Sequence, residues 1–335
     1  MYHKIYDFCK VKNHGTCLKN GVNPTPRVNF ILDLCKEIGI EYDLDVWAKE
    51  NRKIEYSIMD VPDFGPEGFY LDPIKLMKSQ KLYLEYAKEA RELLLSMGVD
   101  EYPEYLEADE MDMLGDDYAD LVDRYNEKLK DIVGDITNSP TNFFNIMLMG
   151  NSDKFVVAHH DIVNPASDNA NDNSCSVINA LAIKKKRPEI NVVILDGEEI
   201  GGIGSKRLSE RIKNGEFKCK WILNLELTGI GGKNFFVGEM GTPLTEWISN
   251  RFECPIVRVP FNDSVIFKNF GINSTVINPL PVTEMITHIT TKDGEYLDEK
   301  ILFRCHKMED SVDKIKIFDM KEFVEEVCLK IIDEA

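Results

Sequence analysis

Two periodicities divide the chain. In "TPRVNFILDLCKEIG" apolar residues recur at Ile31, Leu34, Cys35 and Ile38, a spacing that lines them along one helical face. Thr25 stands at the N-cap, Pro26 at the first helical position and Gly39 at the stop, so an amphipathic helix is predicted between them. "RKIEYSIMDV" then reads as a strand. From about Pro66 to Asp135 the helical spacing returns twice, through Leu82, Tyr86, Ala90 and Leu93 to Gly98, and through Leu114, Tyr118, Leu121, Tyr125 and Ile132 to Gly134. After Pro140 short apolar runs of strand length take over: "NFFNIMLM", "KFVVA", "INVVIL", "KWILNL" and "STVIN", with helix-like segments between some of them. The alternation predicts an α/β fold with a mixed, largely parallel central sheet and helices on both faces. No internal repeat or low-complexity tract appears; the length fits one large domain or two modest ones, and residues 1–335 are read as one domain, with 66–135 as an acidic helical insertion or lid within it.

Three of the predicted strands end in the same way. "KFVVA" runs into His159, His160 and Asp161; "INVVIL" runs into "DGEEIGG" with Glu198 and Glu199; "KWILNL" runs into Glu226. Taken singly, each acidic residue suits a helix cap or a turn. Together they place carboxylate and imidazole at the carboxyl ends of strands, where open α/β sheets gather their ligands. The chemistry that needs this set is a divalent metal centre, expected to hold two ions, because a carboxylate can bridge two cations where a neutral ligand cannot. Zinc suits these donors, with cobalt or manganese as substitutes. Asp172, 13 positions after His159 (172 minus 159), is the natural bridge. Adjacent glutamates point in different directions, so one can bind metal while the other serves as general base.

Composition narrows the partners. Fifty-eight acidic residues against 40 basic ones give a formal charge of −18, which argues against nucleic acid and anionic membranes. Residues 100–127 alone hold twelve Asp or Glu and one basic residue, Arg124. That run reads as a solvated helix face, or as a lid that repels acidic substrates or attracts cationic ones. No stretch approaches the ~18 apolar residues of a membrane span, and "MYHKIYDFCKVKNHG" lacks a long apolar core, so a cytosolic protein is expected. The eight cysteines include no CxxC pair, and Cys35 and Cys328 fall within apolar helical patterns, which predicts reduced core thiols. Cys9, His14 and Cys17 have ligand chemistry but no fourth ligand at finger-like spacing, so they are not read as a site.

"AHHD", "ANDNS", "DGEEIGGIGS", "ILNLELTG", "FNDSVIFKNFGI" and "CHKMEDSVDKI" resemble, in order and spacing, the aminopeptidase Y and glutamate carboxypeptidase II family of co-catalytic zinc peptidases (peptidase clan MH), over roughly Asn142 to Ile315. The resemblance implies a zinc-exopeptidase-like, phosphorylase/hydrolase-like fold and a small peptide substrate. It implies that His159, Asp172 and Glu226 hold one ion and Asp172, Glu199 and His306 the other. Glu198 matches the general base, Asp161 the acid that fixes the His159 imidazole, and Asp310 a supporting acid after His306. His306 is favoured over His288 because only His306 precedes the family-like Asp-Ser-x-Asp-x-Ile pattern. His160 and His288 then read as loop or supporting residues, and Asp263 as either an acid near the site or a turn residue.

Two positions depart from the family pattern. Glu226 stands where the aminopeptidases usually carry Asp, and Glu also appears there in a related carboxypeptidase branch. Cys305 stands where several relatives use Tyr to stabilise the oxyanion, so that donor must come from elsewhere. Hydrolysis at the amino end is the leading expectation; carboxypeptidase or dipeptidase action, a single-zinc glutaminyl cyclase and a non-catalytic scaffold are the alternatives. Arg251, Arg258, Lys268 and Lys292 would be candidates for a substrate-carboxylate pocket. Oligomeric state is not readable.

Overall fold

In a computed structural model the described residues are 1–11, 24–49, 115–133, 141–162, 167–199, 201–259, 261–281 and 309–335, with scattered helical positions between 78 and 96. After a short N-terminal helix, α1 (Ile5–Phe8), comes α2 (Pro26–Ile38). The Thr25 side chain accepts a hydrogen bond from the Val28 amide, Pro26 opens the helix and Gly39 ends it at φ 74°. The expected stripe is buried at Ile31, Leu34 and Cys35, and Arg27, one turn earlier on the same face, is buried with it.

Eight strands lie in one sheet among the described residues. They are β1 (Asp43–Lys49), β2 (Thr141–Leu148), β3 (Lys154–His159), β4 (Asn191–Leu195), β5 (Trp221–Leu225), β6 (Phe235–Gly238), β7 (Ile256–Val257) and β8 (Ser274–Pro279). Their spatial order is β1-β2-β4-β3-β5-β8-β6-β7. The central four are parallel: Val156 of β3 lies between Val192 of β4 and Leu223 of β5, and Asn224 pairs with Val276 of β8. β2 runs antiparallel to β4, and β6 antiparallel to β8. The sheet is therefore mixed and largely parallel. β1 precedes the segment predicted as a strand, Arg52–Val61, which lies outside the described residues.

Alternation along the strands gives the sheet two apolar faces. Val156, Ala158, Val192, Ile194, Leu223 and Leu225 pack with α2, with α4 (Cys175–Lys186), with Leu244 and Ile248 of α6 (Pro243–Phe252) and with the C-terminal helices α8 (Ile317–Phe323) and α9 (Leu329–Glu334). Phe155, Val157, Val193, Leu195 and Ile222 pack with Leu208 and Ile212 of α5 (Ile203–Lys213) and Phe267 of α7 (Asp263–Asn269). Cys35 and Cys328 are buried free thiols, as expected. Cys9 is buried, while His14 and Cys17 lie outside the described residues.

The crossover through α4 carries the chain from β3 to β4 on one side, and the path from β5 leads through β6 and β7 to β8 on the other. A crevice therefore opens between the carboxyl ends of β3 and β5, the switch point at which doubly wound sheets bind ligands. Residues 49–141 form a second unit, which contains the span 66–135. In it α3 (Gly115–Val133) buries Leu121 and Tyr125, and the Tyr125 ring packs 5.5 Å from that of Tyr86. Its described acids Asp117, Asp120, Asp123 and Glu127 are exposed, the solvated face expected of them. No described helix is long and apolar enough to cross a membrane.

Gly204 packs the first turn of α5 onto the loop after β4. A Cβ there would overlap the Asp196 carbonyl oxygen and lie 2.5 Å from Asn145 Oδ1. Gly204→Ala is expected to lower stability by ~1–3 kcal/mol through overpacking, seen as a lower urea midpoint with an unchanged m value; an unshifted midpoint would show that this junction yields freely.

Candidate metal centre

His159 is the last residue of β3, and its buried imidazole is where the site converges. Nε2 lies 3.3 Å from Asp172 Oδ1 and 3.4 Å from Glu226 Oε2, with Glu198 Oε2 at 4.0 Å. Nδ1, on the other edge of the ring, lies 3.5 Å from Asp161 Oδ1 and 3.3 Å from the Asp161 carbonyl oxygen. Parallel pairing with β4 and β5 brings the three strand ends together: β4 leads into Glu198 and Glu199, and β5 is followed directly by Glu226.

Each acid is fixed by groups from another segment. Asp161 accepts the amide hydrogens of Glu198 (3.2 Å) and Glu199 (3.1 Å), so the carboxylate beside His159 also shapes the glutamate turn. Gly197 enters that turn at φ 73°, a conformation that favours glycine. Asp172 lies in the loop Ala170–Ser174, whose backbone leaves helical geometry there (φ −112°, ψ 91°). Asp310 accepts the amides of Asn171 (2.7 Å) and Asp172 (3.0 Å). The Asn173 side chain donates to Glu226 Oε2 (2.7 Å) and to the Leu225 carbonyl (3.0 Å), and accepts from the Leu227 amide (3.2 Å). Asn224 holds the other Glu226 oxygen at 3.2 Å. The extra methylene of Glu226 thus does not keep its carboxylate from the imidazole.

The electrostatics are those of a cation site. Burial pushes the His159 imidazole down, but Glu226, Asp161 and Asp172 outweigh it and hold the ring well above its usual value. Burial, then Glu199, Glu226 and Asp263, push Glu198 well up against the pull of His159. Asp263 is pushed up to about 7, by burial first and then by Glu226 and Asp161, with His159 and Ser205 opposing. One ligand atom each from His159, Asp172 and Glu226 fall within 4.8 Å of one another, and so do atoms of His159, Glu198 and Glu199. Donors about 2.0–2.1 Å from a tetrahedral zinc lie about 3.3–3.4 Å apart. The separations of 3.3 and 3.4 Å at Nε2 fit that spacing, and the mixture of imidazole and carboxylate fits that metal.

The structure therefore gathers His159, Asp161, Asp172, Glu198, Glu199 and Glu226 at one place, with Asp310 beneath Asp172. His306, His288 and Cys305 lie outside the described residues. His160 turns to the Phe144 carbonyl (2.9 Å), and burial drives it down to about 4, so it is a neutral structural histidine. Asp263 is buried at the first position of α7, where the turn-capping role falls to Asn262, whose side chain accepts the Ser264 amide. Asn171 and Asn173, on either side of Asp172, reach across to residues 225–229. Their placement on both sides of Asp172 was the available signal.

The sequence profile of peptidase family M28 matches residues 145–316. No curated protein matches the chain significantly. Among solved structures the chain is similar to the glutaminyl cyclase of Porphyromonas gingivalis, at 11% identity over 100% of this chain and 97% of that one, with a TM-score of 0.55. It is similar to an aminopeptidase from Aneurinibacillus sp. strain AM-1 at 12% identity, over 96% and 90% of the two chains, with a TM-score of 0.50. It is also similar to BSAP, a zinc aminopeptidase from Bacillus subtilis, at 18% identity over 61% and 55%, with a TM-score of 0.45. The match spans just over half the length of the Bacillus enzyme. At these identities the likeness is one of fold.

A proton and a metal ion compete for His159. Because the surrounding carboxylates raise the imidazole, the proton is held more tightly than by a free histidine and must leave before a cation binds. Zinc affinity, measured by competition with a chelator, is expected to rise as pH is raised toward and through the elevated His159 pKa and to fall on acidification; affinity independent of pH would remove His159 from the ligand set.

Proposed function

The chain belongs to peptidase family M28, and from that premise we propose that it is an exopeptidase of aminopeptidase type that works with two divalent ions, zinc by the chemistry of its donors. The reading extends to the sequence resemblance with aminopeptidase Y and its relatives. His159, Asp172 and Glu226 would hold one ion; Asp172, Glu199 and His306 would hold the other. Asp310, four positions after His306 in the sequence, bonds the backbone of Asp172. When bound, the ions polarise the scissile carbonyl and lower the pKa of water.

The protein's own groups move the protons. Glu198 is buried beside His159 but is not required to hold an ion in this scheme, and its raised pKa suits a carboxylate that takes a proton from water and gives it to the departing nitrogen. Asp161 holds the Nδ1 edge of His159, which leaves Nε2 for the ion, and its grip on the amides of Glu198 and Glu199 couples the base to the ligand. The preference for a free amino end rests on the likeness to aminopeptidase Y and its relatives. The convergence of Asp172, Glu226 and Glu198 on a single imidazole nitrogen is the observation that carries this reading.

Glu198→Gln is expected to bind as much zinc as the wild type and to lose about 100-fold or more in kcat. Wild-type turnover by the zinc-loaded variant would assign the proton transfer elsewhere. On a panel of dipeptides with a free amino end, a blocked amino end or an amino-terminal glutamine, the free-amino substrates are expected to be cleaved fastest. Cleavage of blocked substrates alone would reverse the polarity, and ring closure of glutamine without hydrolysis would make the protein a cyclase.

A further inference from the structure

Arg27 has no place in the proposed reaction, yet it is fully buried beneath the metal loop. Its Nε donates to the carbonyl of His160, the residue after the central ligand. Nη2 donates to Ser174 Oγ at 2.7 Å, two residues beyond Asp172, and that hydroxyl donates in turn to the Asn169 carbonyl at 2.6 Å. Nη1 reaches the Val11 carbonyl at 3.4 Å, and the guanidinium carbon lies 3.9 Å from the centre of the Phe8 ring. One planar group thus spans the two segments that supply His159 and Asp172, while its position is set from the other side by the N-terminal residues.

A buried cation beside a cation site has two opposite effects. Its charge repels an incoming metal ion, which weakens binding; its fork holds two ligand-bearing segments in place, which strengthens it. Burial lowers the guanidinium pKa to about 10 against the pull of Cys9, Asp161, Asp172 and Asp310, so the group keeps its charge at neutral pH. Without it, carboxylates crowded around one imidazole repel one another until an ion arrives. The bonds from Arg27 end on the backbone at His160 and on Ser174, not on the ligand carboxylates, so its geometry is that of a clamp.

We propose that Arg27 is a positioning residue of the metal centre, one that holds the end of β3 and the Asp172 loop at ligand spacing before an ion binds. The inference rests on the metal-centre reading above. Lysine keeps the charge of arginine and loses its fork, so Arg27→Lys separates the two effects. Ser174→Ala removes one end of the clamp and leaves Arg27 itself intact. Lys184→Met serves as a control, because Lys184 is another largely buried cation, bonded to the carbonyls of Met149, Pro188 and Ile190.

Zinc affinity by chelator competition, and the visible absorption of the cobalt-loaded protein, are read well below each variant's Tm. Arg27→Lys is expected to bind zinc about 10–100-fold more weakly, the usual scale for groups that orient metal ligands, and to shift the cobalt bands. Ser174→Ala should weaken zinc in the same direction, and the double variant should lose less than the sum of the two, since both break one link. Lys184→Met should lower Tm and leave zinc affinity unchanged. Wild-type affinity and cobalt spectrum in both Arg27→Lys and Ser174→Ala would overturn the inference while leaving the metal centre intact; if Arg27→Lys does not fold, Ser174→Ala decides alone. A wild-type protein that binds neither metal would fail the metal-centre reading first.

Discussion

Burying several carboxylates around one imidazole is the constraint on which the structure turns. Asp161, Asp172, Glu198 and Glu226 all lie within 4.0 Å of a ring nitrogen of His159, and all are largely shielded from water. Uncompensated buried charges carry penalties of several kcal/mol each, so such a cluster persists only if something meets its charge. Part of that compensation is built in. Amides of residues 171 and 172 face Asp310, amides of 198 and 199 face Asp161, side-chain amides of Asn173 and Asn224 face Glu226, and Arg27 supplies a full positive charge. What they leave at His159 Nε2 is an arrangement with zinc's donor spacing.

The sheet explains why the cluster forms there. Parallel strands end at a common edge, and the chain leaves β3 and β5 in opposite directions, so the crevice between them is open to both following loops. One loop carries Asp172 back over the crevice. The other begins with Glu226, and Asn171 and Asn173 bond across the gap to residues 225–229. The same apolar runs that fill the two faces of the sheet thus set the spacing of the polar residues just past their ends.

What could be read from the sequence follows the same physics. Buried parallel strands show as continuous apolar runs, so "KFVVA", "INVVIL", "KWILNL" and "STVIN" were legible, and the acids that follow the first three marked the edge of the sheet. β1 was not legible. Its "DLDVWAK" has charges at Asp43 and Asp45, and Asp45 is held by Arg207 and Arg211 from far along the chain, while Trp47 stacks 5.7 Å from Phe143. β7, at two residues, is too short to leave a pattern. The roles of Asn171 and Asn173 depend on partners more than fifty residues away, which no local pattern records. Arg27 left a faint sign: it sits four residues before Ile31 on the apolar stripe of α2, where a charge would be out of place unless something buried required it.

Everything above turns on whether a metal ion binds His159 in the crevice between β3 and β5. Diffraction from crystals grown with zinc, measured on both sides of the zinc absorption edge, tests it most directly. An anomalous peak is expected at bonding distance from His159 Nε2 and from the carboxylates of Asp172 and Glu226. Crystals that contain zinc by X-ray fluorescence, yet show no peak among those three side chains, would contradict it.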